Sequence, residues 1–312
     1  MYLYAGQALA RYGFGDGHPL GPDRFDAFWH AFLATDLADQ VTIMEPVTGR
    51  REDALLFHSH SHVDRVRDLS ARGSGMLDMD TPVFPGVYEA ALVVVGSVLD
   101  AVRQIMQGAT RRAFVPIAGL HHASRAASAG FCVFNDCGIA IEALRQRHGV
   151  RKVLYFDIDA HHADGVYYGF QDDPDLRFVD VHEDGRYLYP GTGDATETGL
   201  GPAQGCKLNI PLPPGADDEH FFKHWPEIEQ FLEAEQPEFI ILQCGADSVA
   251  GDPLTHMQFS SRVHRHVASY LRSFAEARCQ GRILALGGGG YNRAHTATTW
   301  IETLTALCVT DA

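Results

Sequence analysis

The chain has 312 residues, 46% of them hydrophobic and 21% charged, with a formal net charge of −15. That balance is ordinary for a globular protein, offers no transmembrane run, and excludes tight non-specific nucleic-acid binding, which needs cationic surface to displace counterions. Cys132, Cys137, Cys206, Cys244, Cys279 and Cys308 form no C-x-x-C pair, which excludes a disulfide framework or thiolate zinc site as the organising feature.

In chain order, the first strongly periodic stretch is a helix at Tyr88–Gln107, followed by a strand at Ala113–Ala118 that runs into Gly119-Leu120-His121-His122. A helix at Asp136–His148 leads to a strand at Val153–Asp159 and the polar turn Asp157–Asp164. Strands at Leu176–His182 and Lys207–Ile210 come next, and the glycine- and proline-rich segment Gly185–Gly215 reads as a long loop region beside the sheet edge. Asp218 and Glu219 suit the positive end of a helix at Asp218–Glu235. A strand at Phe239–Cys244 then ends in Gln243–Asp247. A helix at Ser260–Ala277, a strand at Arg282–Leu286, the run Gly287–Gly290-Tyr291 and a helix at Arg293–Cys308 complete the series. Such alternation predicts an α/β fold, a mostly parallel sheet covered by helices on both faces. No repeat, low-complexity tract or linker interrupts it, so residues 1–312 are expected to form one domain. The opening residues lack the layout of a signal peptide, and a cytoplasmic protein is expected.

The polar turns carry the chemistry. Asp157 and Asp159 lie two apart, on one face of an extended strand, and His161, His162 and Asp164 crowd the same carboxyl end. Like charges packed so closely repel unless a cation holds them. A divalent metal bound by Asp159 and His161, with Asp247 from a neighbouring strand end, leaves a position open for water or substrate. Without thiolates, zinc is the first choice and ferrous iron the second. The bland alternative is a capping Asp247 and a solvated acidic turn. His121 and His122 are each a weak signal, since a satisfied buried histidine is common. The surplus acids Asp157 and Asp164 can each accept a hydrogen bond from one imidazole, which makes acid–base machinery beside a metal. The glycine run lacks both the Walker lysine and the G-x-G-x-x-G spacing of phosphate cradles, and Tyr291 offers a hydroxyl to a developing oxyanion instead.

Taken together and in order, Gly119–Ala123, Gly130–Asp136, Asp157–Gly165, Tyr189–Gly193, Gly245–Ser248 with Gly251-Asp252-Pro253, and Gly287–Tyr291 resemble the zinc-dependent histone deacetylase superfamily. That superfamily includes bacterial acetoin-utilisation proteins and acetylpolyamine amidohydrolases. The matching text runs from about Arg24 to Trp300. The resemblance implies a three-layer α/β/α arginase/deacetylase-type fold and hydrolysis of an acetamide on an amine. It assigns Asp159, His161 and Asp247 as zinc ligands, with His121 and His122 held by Asp157 and Asp164 respectively. Tyr291 takes the place of the tyrosine that binds the substrate carbonyl. Gly130, Phe131 and Tyr189 fall at substrate-binding positions, the two aromatics lining the acyl-lysine tunnel, and Asp80 resembles a rim aspartate that grips substrate amides. Arg24 matches an arginine of an internal acetate-release channel. A structural potassium site would use Asp157, Asp159, His161, Asp180 and Val181.

Four departures stand out. Leu120 replaces a frequent aromatic, Tyr189 a usual phenylalanine, and Asp180 a serine common at the potassium site. Leu254 stands at the rim where a glutamate would favour polyamines, which tilts the expectation towards acyl-lysine in a protein or peptide. A small acylated amine such as an acetylpolyamine is the alternative substrate, and a non-catalytic acyl-lysine-binding protein is a second alternative. The binuclear ureohydrolase pattern fits less well: it wants Asp-x-His-x-Asp, whereas Asp164 comes one residue late and Val249 stands where a second aspartate would be. No nucleic-acid or membrane partner is expected, and the oligomeric state stays open.

Overall fold

The computed structural model describes residues 1–15 and 17–309. Its strands are β1 (Tyr2–Tyr4), β2 (Thr42–Met44), β3 (Arg112–Val115), β4 (Val153–Asp157), β5 (Leu176–Glu183), β6 (Lys207–Leu212), β7 (Phe239–Gln243) and β8 (Ile283–Leu286). They form one sheet in the order β2-β1-β3-β8-β7-β4-β5-β6, and every pairing is parallel. All residues of β3, β4, β7 and β8 are buried, as befits strands covered on both sides.

The helices are α1 (Gln7–Ala10), α2 (Asp23–Leu33), α3 (Arg51–Ala54), α4 (His60–Arg72), α5 (Val87–Met106), α6 (Asp136–His148), α7 (Asp164–Gly169), α8 (Asp218–Leu232), α9 (Ser261–Cys279) and α10 (Arg293–Cys308). They cover both faces. On β4 the Tyr155 hydroxyl reaches Cys137 of α6, while the next side chain, Phe156, packs on Trp225 of α8. Successive strand residues point oppositely, so α6 and α8 lie on opposite faces. On β3, Phe114 packs against Trp300 of α10 and Phe28 of α2. No described helix is long and apolar enough to cross a membrane.

The elements read from sequence all occur, with shifted ends. β3 stops at Val115 rather than Ala118, and β4 at Asp157 rather than Asp159. Asp159 therefore lies in the turn, and the shared strand face expected for Asp157 and Asp159 gives way to a tighter arrangement. The Asp157 carboxylate accepts the Asp159 backbone N–H at 2.9 Å, turning the chain immediately after the strand. β1, β2, α1–α4 and α7 were not read from the sequence. The strands β3, β8, β7 and β4 are neighbours, and being parallel they deliver their carboxyl-end turns to one edge.

Candidate functional site

Asp159, His161 and Asp247 meet at that edge, each buried, with ligand-type atoms within 4.8 Å of one another. His161 Nδ1 lies 3.0 Å from Asp159 Oδ1 and 3.1 Å from Asp247 Oδ2. The remaining oxygens are held by the protein. Asp159 Oδ2 accepts from Gln243 Nε2 at 2.9 Å and from the Gly289 N–H at 2.8 Å, and Asp247 Oδ1 accepts from the Ala160 N–H at 2.8 Å. A Cβ on Gly289 would sit 2.0 Å from Asp247 Oδ2, so only glycine fits there. Burial, then the charge of Asp159, pushes the Asp247 carboxyl up to about 7. Burial opposes a charge on His161, yet hydrogen bonds to Asp159 and Asp247 draw its pKa well above the ordinary value. Two desolvated carboxylates converging on one imidazole nitrogen call for a cation, and this oxygen–oxygen–nitrogen set fits zinc or ferrous iron.

Beside the trio, each histidine of the tandem pair has its own acid. His121 Nδ1 lies 2.8 Å from Asp157 Oδ2, and His122 Nδ1 lies 2.7 Å from Asp164 Oδ1. Their Nε2 atoms face each other at 3.2 Å, close enough that a single proton between them satisfies both. Burial is the main reason the His122 pKa falls below its ordinary value; His121 adds to the fall and Asp164 opposes it. Burial and the charges of Asp180 and Asp159 push the Asp157 carboxyl well up.

The mouth above these groups is aromatic. The Phe131 and Tyr291 rings stand 5.9 Å apart, and the Tyr189 ring lies 5.1 Å from that of His122. Gly130 has φ 52°, and a Cβ there would strike the His122 ring at 2.5 Å. Asp252 ties two wall residues together, accepting from the Tyr291 N–H at 2.7 Å and the Leu254 N–H at 2.9 Å. Asp80 stands partly buried, hydrogen-bonded through Thr81 to the loop that carries Phe131.

A family model described as the histone deacetylase domain matches residues 18–307. The chain belongs to the histone deacetylase family. It is 35% identical over 305 residues to the acetoin utilization protein AcuC of Bacillus subtilis (strain 168), covering 94% of this chain and 77% of that protein. It is 34% identical over 318 residues to histone deacetylase 19 of Arabidopsis thaliana, covering 96% of this chain but only 61% of the plant protein. The crystal structure of the HDA15 HD domain superposes with a TM-score of 0.89 at 23% identity, over 98% of this chain and 88% of that one, and shows the arginase/deacetylase-type α/β fold.

Around the candidate site, this deacetylase-family chain holds residues that its sequence alone did not single out. Gln243 accepts the Gly245 N–H at 2.7 Å and donates to Asp159, so it fixes one of the predicted ligands. Asn135 donates to the carbonyls of His121 and Ala123 at 3.0 and 2.9 Å while capping α6 through the Gly138 N–H at 2.8 Å. Asp136 accepts from the Gly119 and Leu120 N–H groups at 2.8 and 3.1 Å. Asn135 and Asp136 lie within the Gly130–Asp136 segment, and an amide and an acid at a helix start are ordinarily explained as capping groups. Arg24, which the resemblance had placed at an internal channel, is buried and donates to the carbonyls of Gly290 and Gly288 at 2.8 and 2.6 Å.

The predicted potassium set also comes together in part. Asp157 and Asp180 are register partners on β4 and β5, both fully buried, with Val181 buried beside them. Asp180 brings a partner of its own: its Oδ1 lies 2.9 Å from His182 Nδ1, and its Oδ2 accepts the Ala163 N–H at 2.8 Å. Burial works against charging His182, but the charge and hydrogen bond of Asp180 hold its pKa above the ordinary value.

Proposed function

We propose that this chain is a metal-dependent amidohydrolase that removes an acetyl or other acyl group from the side-chain amine of lysine in a protein or peptide. The observation that carries the reading is the meeting of the Asp159–His161–Asp247 trio with the acid-held Nε2 pair of His121 and His122 beneath an aromatic mouth. Asp159, His161 and Asp247 are the residues that would hold zinc, or ferrous iron. Bound there, such an ion supplies Lewis acidity for the acyl carbonyl and lowers the pKa of water.

The rest of the mechanism belongs to the chain. His122, the nearer of the pair to Tyr189 and the mouth, accepts the water proton at Nε2 and returns a proton to the departing amine. Asp164 fixes its tautomer through Nδ1, and Asp157 does the same for His121, which shapes the field beside it. Tyr291 donates its hydroxyl to the carbonyl oxygen as negative charge gathers there. Phe131 and Tyr189 exclude water from the acyl-amine chain, and Asp80 accepts from the backbone amides of a peptide substrate. Asp164 is committed to His122, and the trio is the one group of metal-ligating type found among the described residues, which supports a single catalytic metal. A potassium ion beside Asp157 and Asp180 belongs to the same reading, supported by the oxygen donors there and by more buried negative charge than His182 offsets.

The test is kcat/KM of the metal-loaded protein on an acetyl-lysine peptide, with N-acetylputrescine beside it. A peptide preference is expected. Preference for the polyamine would keep the chemistry and overturn the substrate, and turnover of neither would move the protein to acyl-lysine binding without catalysis.

A further inference from the structure

Phe131 places a side chain where the backbone is left-handed, with φ 66°. Outside glycine that geometry is unfavourable and persists only where the surroundings hold it. Both backbone polar atoms of Phe131 are held. Its N–H donates to Thr81 Oγ1 at 3.1 Å, and its carbonyl accepts from the Tyr12 hydroxyl at 2.7 Å. The Tyr12 oxygen in turn accepts the Val133 N–H at 2.9 Å. Thr81 is 0% and Tyr12 1% exposed, so water does not stand in for either hydroxyl.

Thr81 has a proton of its own to place, and it donates to Asp80 Oδ1 at 3.2 Å. A hydroxyl fixed as a donor to Asp80 keeps its lone pairs turned to the Phe131 N–H. His18 adds a second tie. Its Nε2 lies 3.2 Å from the Asp80 carbonyl, and its ring packs edge-on to Phe131 with centroids 4.6 Å apart. The acid at the rim and the aromatic in the wall are therefore joined both through one hydroxyl and through one imidazole.

We propose that Thr81 and Tyr12 are positioning residues that hold Phe131 in the tunnel wall, and that the Thr81 hydroxyl couples the Asp80 rim to that wall. The inference rests on reading this mouth as an acyl-lysine tunnel. A substrate that engages Asp80 with its peptide backbone also steadies the hydroxyl that fixes Phe131. An acylated amine of the same chain length without a backbone leaves that tie unused. Selectivity for a peptide over a bare amine is thus set in part by a side chain that touches neither.

The test compares Thr81→Val, Thr81→Ser and Tyr12→Phe with the parent, all metal-loaded, on an acetyl-lysine peptide and on N-acetylbutylamine. Amide hydrogen exchange over residues 129–133 is followed in the same proteins. Thr81→Val is expected to lose roughly tenfold in kcat/KM on the peptide, largely through KM, the scale of one buried donor left unmade. Its loss on N-acetylbutylamine is smaller, and Thr81→Ser, which keeps the hydroxyl, restores the parent values. Combined with Asp80→Asn, the Thr81→Val effect on the peptide is less than additive. Exchange at 129–133 quickens in Thr81→Val and Tyr12→Phe and stays at the parent rate in Thr81→Ser. Equal behaviour of Thr81→Val and Thr81→Ser would overturn the proposal, as would full additivity with Asp80→Asn. If the parent turns over neither substrate, the catalytic reading fails, and the exchange rates alone decide whether the clamp on Phe131 stands.

Discussion

Tyr291 is presented to the mouth by groups other than its hydroxyl: Asp252 grips its N–H and Phe131 faces its ring. Removing only the hydroxyl should therefore leave the site built. Tyr291→Phe is expected to lose about 10²–10³ in kcat, the usual cost of one oxyanion donor, with metal content and thermal midpoint unchanged. Steady-state kinetics beside metal analysis checks this, and near-full turnover would end the assignment. Gly289 gives the opposite kind of variant. A Cβ there meets Asp247 Oδ2 at 2.0 Å and Asp159 Oδ2 at 2.9 Å, so Gly289→Ala should bind zinc at least tenfold more weakly, read by competition with a chelating dye. Single residues were also the most legible scale in the sequence. The acids and imidazoles of Asp157–Asp164 have no comfortable arrangement without a cation, and that is what marks Asp159 and His161 as ligand candidates in the sequence. Gln243 escaped because a glutamine at the end of a strand carries no charge to explain.

At the scale of elements, the amino end of α6 does two jobs. Asn135 caps the helix and holds the carbonyls of His121 and Ala123, while Asp136 takes two N–H groups of the same turn. Losing a cap costs about 1 kcal/mol, so Asn135→Ala should lower the urea midpoint modestly. Its kcat should fall further than that stability loss implies, since the turn that carries both histidines also loses two donors. An unchanged kcat would show that the turn needs no such anchor. The long buried elements were legible because their period is unambiguous: α5 buries most of one broad face, and β4 and β7 are apolar until the site begins. The amino-terminal quarter was not. β1 and β2 have three residues each, and β2 is largely exposed, too short and too wet to show a period. α4, with the text HSHVDRVRDLSAR, is polar enough to pass for a loop, although Ser59 caps it and Gly73 ends it in the left-handed conformation.

Across the whole molecule, the alternation of strands and helices foretold the parallel sheet, and the sheet explains why motifs far apart in the chain share one edge. What alternation does not encode is the spatial order of the strands, which puts β8 between β3 and β7. Stability should carry a pH signature from the histidines sealed inside. Burial, then the neighbouring His62, pushes the His58 pKa down from 6.5 to about 3. The unfolded chain then binds the extra proton below its ordinary pKa. The stabilisation from neutral His58 is complete above 6.5 and is lost as pH falls from there towards about 3. His58→Gln should accordingly lose less stability than the parent between about pH 7 and pH 5, measured as the shift in urea midpoint. An equal shift in both proteins would show that His58 charges freely in the native state.

The grip of Arg24 on the carbonyls of Gly288 and Gly290 sets a timetable for synthesis. Asp159 and His161 leave the ribosome long before the loop that braces them, and that loop finds its clamp in a helix made near the beginning. β3 likewise waits for β8 to fill the gap beside β7. Contacts between such distant stretches close loops at an entropic cost and form slowly. A nascent chain stalled before Gly287 thus carries Asp159, His161 and Asp247 without the Gly289 N–H that braces Asp159. If the trio holds a metal as proposed, firm loading is expected only after Arg24 and the glycine run have met.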